Sequence, residues 1–149
     1  MPIEPARPRC DFDRKNLLLE FSSTIHADVQ EISPVVEGVM AIVRRIGCAV
    51  GREFEVETAL REALANAIVH GAKRDASKQI QFCVSCDEDR GLLIVVRDPG
   101  EGFDPASIAA PVVGKELFST HGRGIYLINQ LVDEVRFEKG GTEIHMIVR

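Results

Sequence analysis

Apolar residues at Ile32, Val35, Val36, Val39, Met40, Val43 and Ile46 recur every three or four positions, the spacing that gathers them on one face of a helix. The pattern predicts a helix from Asp28 to about Cys48, with Pro34 in its first turns, where proline is tolerated, and Gly47 at its stop. A second helix is predicted over residues 53 to 72, closed by Gly71. On it Val56, Leu60, Ala63, Leu64, Ala67 and Ile68 share one side, while Glu62 and Asn66, four apart, stack on the other. Elsewhere the period shortens to two. "NLLLEFSS" (16–23) reads as a first strand, and "KQIQFCVSCD" and "GLLIVVRDPG" as two strands joined at Gly91. "EVRFEKGGTEIHMIVR" reads as two more across the Gly140-Gly141 turn. A long loop, residues 99 to 121, and a helix after "HGRG" lie between these pairs.

Strands and helices in this order predict an α+β fold, a two-layer α/β sandwich with a mixed, mostly antiparallel sheet and helices on one face. Residues 1–14, rich in proline and arginine, read as a flexible arm, and residues 15–149 as a single domain. No internal repeat is present.

Charge narrows the partners. A net charge of −5 without any cluster of Lys and Arg argues against nucleic acid as the main ligand. The N-terminus lacks an apolar leader segment. The longest aliphatic run, Leu92 to Val96, falls far short of the ~20 residues of a membrane span. The chain is therefore expected to be cytoplasmic, without membrane contact, and its four cysteines to be reduced. "CVSC" sits in an alternating stretch, so Cys83 and Cys86 are expected on opposite faces of a strand, as packing residues and not a metal pair.

Three stretches carry candidate chemistry, and each also has a plain structural reading. Glu62 and Asn66 suit a general base beside a hard-cation ligand, or a solvated helix face. In "VRDPGEGFDP", Asp98 ends a strand and can accept from an exocyclic amine, with Gly100 and Gly102 letting a flat ring approach; Asp-Pro-Gly is equally good turn chemistry. "HGRGIYLI" places Gly122, Arg123 and Gly124 before a helix, either as an anion cradle or as a hinge.

Taken in order, an E-x-x-x-N helix, a D-x-G-x-G strand end, a long loop, a G-x-G helix start and a late Gly-Thr resemble the Bergerat ATP-binding fold of gyrase, chaperone, sensor-kinase and mismatch-repair ATPases. "ALREALANAIVHGA", "VRDPGEGFDP" and above all "HGRGIYLINQLVDEVRF" look most like the anti-sigma-factor serine/threonine kinases of bacterial partner switching. With so little chain before the first strand and none after the last, a lone ATP-binding domain is expected, as in those kinases.

The resemblance implies a role for each motif residue. Asp98 would accept from the adenine amine, with Thr142 joining through a water, and Gly100 and Gly102 would floor the ring. Asn66 would ligate Mg²⁺, while Gly122, Arg123 and Gly124 would hold the phosphates of ATP and residues 103–121 would form a lid. Glu62 would take the proton from a serine or threonine hydroxyl. The implied substrate is a STAS-domain anti-sigma-factor antagonist, the second partner a sigma factor, and the active form a homodimer. An ATP-binding regulatory module with a non-sigma partner and little or no kinase activity is the competing reading. A free-standing ATPase ranks below both, since a lone domain lacks the parts that couple hydrolysis to motion. His70, Lys115 and His121 have no assigned role, and Phe103 and Tyr126 read as packing residues.

Overall fold

The computed structural model describes residues 17–102 and 120–149, the last group with backbone only for 120–123. The N-terminal arm, Phe103, Lys115, the lid up to residue 119 and the side chains of His121 and Arg123 lie outside the described residues.

Five strands form one sheet: β1 (Leu17–His26), β2 (Gln79–Asp87), β3 (Gly91–Arg97), β4 (Glu134–Glu138) and β5 (Glu143–Val148), in the spatial order β1-β2-β3-β5-β4. Every pairing among them is antiparallel. Three helices lie on one face: α1 (Ile32–Ile46), α2 (Glu53–Asn66) and α3 (Thr120–Leu131). The expected two-layer α+β arrangement is thus observed, with the β3–β5 pairing set by tertiary structure and not by a hairpin.

The helical period fixes which side is buried. Val36, Val39, Met40 and Val43 of α1 and Val56, Leu60 and Leu64 of α2 pack onto Ile80, Phe82, Val84, Ile94, Val96 and Met146 of the sheet. Each such fully buried side chain contributes roughly 1.5–3 kcal/mol. Asp28 caps a single 3-10 turn ahead of α1, its carboxylate accepting the Gln30 N–H at 2.9 Å. Gly47 ends α1 in the left-handed conformation, φ 79°.

Cys86 faces this core and Cys83 a smaller cluster on the opposite side with Leu93 and Val95, so the two point to opposite faces as alternation requires. Burial first, and then the Cys48 thiol beside it, push the Cys86 thiol up to about 12, which leaves it an inert packing group. Cys83 is disulfide-bonded, its sulfur on the sheet face away from the aliphatic core, which corrects the expectation that all four cysteines are reduced. Among the described residues no helix is long and apolar enough to cross a membrane.

The "VDEVRF" stretch proves to be a staple. Asp133 donates its N–H to the Ile147 carbonyl at 2.9 Å, and its Oδ2 accepts from the Arg149 N–H at 2.7 Å and Arg52 Nη1 at 3.4 Å. Arg52 Nη2 also donates to the Leu131 carbonyl at 2.9 Å, covering the C-terminal end of α3. One aspartate and one arginine thereby join the start of α2, the end of α3 and strand β5. Ile125, Ile128 and Val132 anchor α3 inward, whereas Tyr126, one residue round the helix from Ile125, is 42% exposed and is not the packing residue expected.

Candidate functional site

Where β3 runs out at Arg97, the chain turns through Asp98, Pro99 and Gly100. Asp98 Oδ1 accepts the Gly100 N–H at 2.7 Å, closing the turn on itself, and the Asp98 N–H donates to the Thr142 carbonyl at 2.9 Å. Asp98 and Thr142 are therefore held side by side at the ends of adjacent strands. The Thr142 hydroxyl donates to the Lys139 carbonyl at 2.9 Å.

The end of α2 approaches from the helical layer. Past Asn66 the helix widens into a π turn over Ala67–Gly71, with the Ala72 N–H reaching the Ala67 carbonyl at 2.8 Å. Such single π turns recur at functional sites. This one sets Gly71 so close to Asp98 that a β-carbon at Gly71 would fall on the carboxyl group. Gly100 lies against the Gly71 carbonyl, and Gly102, at φ +83°, against the Gly140 carbonyl; neither leaves room for a β-carbon.

Between these elements opens a pocket of about 460 Å³, within the range of small-molecule sites. Asn66, Asp98, Gly100, Gly102 and Thr142 all line it. Its apolar walls come from Ala63, Ala67, Val96, Ile125, Phe137 and Ile144. Asp98 sets a carboxylate beside these apolar walls, an arrangement that suits a flat ring carrying an amine donor.

Glu62 joins the same site through α3. A β-carbon on the buried Gly124 would stand 2.9 Å from Asn66 Nδ2, 3.1 Å from Asn66 Oδ1 and 3.0 Å from Glu62 Oε2. The polar side of α2 is therefore no solvated face: α3 packs directly over it, and both side chains are half-buried. The absence of a side chain at 124 lets α3 approach the Glu62 carboxylate and the Asn66 amide this closely. Residues Thr120–Leu131 are helical, so Gly122, Arg123 and Gly124 lie inside α3, whereas the sequence pattern placed them ahead of it.

Sequence reasoning missed Gly71, which it read as a helix stop, and the cationic lining residues Lys73 and Lys78. Lys73 (φ 52°) and Arg74 (φ 61°) follow the π turn in left-handed backbone, a strained conformation for such side chains. His70 also lines the pocket; partial burial, and then the Arg74 charge, hold its ring below the ordinary histidine value.

Burial pushes the Asp98 carboxyl above its usual range, only partly countered by the Gly100 N–H. A carboxyl raised by folding contributes stability below its unfolded pKa and loses it as pH rises through the folded pKa. At neutral pH the Asp98 carboxylate thus costs the empty fold stability. Asp98→Asn, which keeps an oxygen for Gly100, is expected to raise the thermal midpoint at pH 7. The gain should shrink as the pH is lowered through the Asp98 titration; thermal unfolding across pH 3 to 8 checks both (~3 is the acid limit set by the carboxylate range).

Residues 25–148 match the histidine kinase-like ATPase domain. The chain is 29% identical over 97 residues to the anti-sigma F factor of Priestia megaterium, covering 62% of this chain and 66% of that protein. It is 29% identical over 103 residues to the serine-protein kinase RsbW of Bacillus subtilis, covering 65% and 64%. Over 129 residues it is 29% identical to the serine-protein kinase RsbW of Staphylococcus epidermidis, covering 81% and 80%. In the first two, the match spans just under two thirds of the relative's own length.

Proposed function

Since the chain belongs to the histidine kinase-like ATPase family, we propose that it is an ATP-dependent serine/threonine protein kinase that acts as an anti-sigma factor. In this reading it phosphorylates a STAS-domain anti-sigma-factor antagonist, sequesters a sigma factor and works as a homodimer. The observation that carries the enzymatic part is the meeting of Glu62 and Asn66 beside Gly124, with Asn66 also lining the pocket. A module that only bound nucleotide would gain nothing from a carboxylate there. The relatives' names, anti-sigma F factor and serine-protein kinase, support the choice of partner and substrate.

The adenine ring lies between Ala67, Val96 and Ile144, with its amine donating to Asp98 and Thr142 beside it. The triphosphate runs toward α3, where the N–H groups of the first turn, Arg123 and the absence of a side chain at Gly122 and Gly124 receive it. The Asn66 amide oxygen and the Glu62 carboxylate, both next to Gly124, are ligand types that a hard cation takes. Asn66 would hold Mg²⁺ there through Oδ1, and the bound ion would supply neutralisation of phosphate charge. Glu62 accepts the proton of the incoming hydroxyl; its oxygen bonds to the γ-phosphorus as the bond to the β-phosphate oxygen breaks and ADP leaves. The protein's part is positioning and charge stabilisation, as in phosphoryl transfer generally.

The test is to incubate the protein with Mg²⁺ and γ-labelled ATP in the presence of a STAS-domain protein, and separately to capture sigma factors with it. Label on a serine or threonine together with sigma capture is the expected result. ATP binding with no transfer to any such protein would leave the regulatory-module reading in its place.

A further inference from the structure

The sheet face turned away from the helices carries a buried polar chain, Arg97–Glu143–His145. Arg97 Nε and Nη2 both lie 2.7 Å from Glu143 Oε2, and Glu143 Oε1 lies 2.7 Å from His145 Nε2. The three side chains are 14%, 5% and 3% exposed. A cross-strand ion pair on an open sheet face normally sits in water and contributes little. This one has been taken out of water, where desolvation opposes the attraction and a buried pair is weak grounds for stability. Its better-attested use is to specify one arrangement. Burial alone would raise the Glu143 carboxyl, but hydrogen bonds from His145 and Arg97, with the Arg97 charge, outweigh it and hold the group below the ordinary carboxylate range.

Position tells what is being specified. Arg97↔Glu143 is the last pair of the β3–β5 ladder, and the next residues along are Asp98 and Thr142. Strand ends fray unless something holds them. We propose that Arg97, Glu143 and His145 are positioning residues that fix the spacing of Asp98 and Thr142, and so set the selectivity of the pocket for a base bearing a 6-amino group. The inference rests on the adenine site described above and adds residues on the opposite face of the sheet to it.

The experiment compares binding of ATP with that of inosine triphosphate, which keeps ribose and phosphates but presents a carbonyl to Asp98. The wild type is expected to prefer ATP by roughly 100-fold or more, because a site built to accept a donor rejects the analogue lacking it. Glu143→Gln is expected to cut that preference by about tenfold through weaker ATP binding alone, with inosine triphosphate unchanged within about twofold. His145→Gln, which retains a donor for Glu143, is expected to stay within about threefold of wild-type selectivity. Equal weakening of both nucleotides by Glu143→Gln, or no change in either, overturns the proposal. If Glu143→Gln lacks a cooperative thermal transition, Arg97→Lys is read by the same ratio, since it keeps the charge but loses the planar fork. A wild type that binds both nucleotides alike would instead overturn the assignment of Asp98 to the adenine amine.

Discussion

Glu62→Ala is expected to slow phosphoryl transfer to a protein hydroxyl by roughly 10²–10⁴-fold, the range that a positioned proton acceptor contributes. Nucleotide affinity is expected to change by less than about threefold, because a group that acts on the incoming hydroxyl adds to the transition state and not to ATP binding. The geometry makes the separation possible. Glu62 meets α3 at Gly124, beside Asn66, and is absent from the lining of the slot that would take the base. Glu62→Gln is the stricter variant: it keeps shape and hydrogen bonding and removes only the basic oxygen. Single-turnover transfer of γ-label, run beside equilibrium binding of ATP, reads both quantities. Transfer at the wild-type rate in Glu62→Gln would remove Glu62 from the proton-accepting role.

Gly71→Ala is the variant expected to damage the Asp98 side of the pocket most. Its β-carbon would meet Asp98 Cγ, Cβ and Oδ1, atoms close to the backbone with little freedom to move aside. Either the end of β3 or the π turn must shift, an overpacking cost of about 1–3 kcal/mol in stability. The carboxylate leaves its place beside Thr142, and ATP affinity is expected to fall by roughly 100-fold, the cost of leaving a polar group of the ligand unmatched. Chemical denaturation and a nucleotide titration measure the two effects. Wild-type affinity in Gly71→Ala would mean that Asp98 does not hold the base.

Much of this arrangement is written in short-range pattern. The apolar spacing of α1, the alternation in β2 and β3 and the Gly140-Gly141 turn depend on neighbours along the chain, and the sequence shows them directly. Asn66, Asp98, Gly100, Gly102 and Thr142 line one pocket because the order of motifs resembles an ATP-binding fold whose topology brings them together. What was not legible depends on contacts between distant segments. Ala67 to Gly71 have unremarkable helix-forming character, so nothing local announces a π turn. Gly71 looked like a helix stop because the carboxylate that requires it lies 27 positions further on, at Asp98. Glu143 and His145 alternate with Ile144 and Met146 as solvent-facing residues of a strand would, yet both are buried. The "VDEVRF" stretch is part of the most family-specific sequence, and its Asp133 serves as a fastener between elements.

The π turn has a practical consequence for anyone rebuilding this domain on an idealised scaffold. A regular helix advances about 100° per residue, so straightening Ala67–Gly71 would rotate everything beyond Asn66 by roughly that angle. Gly71 would then face away from Asp98, and a side chain would take its place over the slot. The two halves of the pocket are thus kept in phase by one irregular turn, and design rules that reward regularity would erase it while improving every local score.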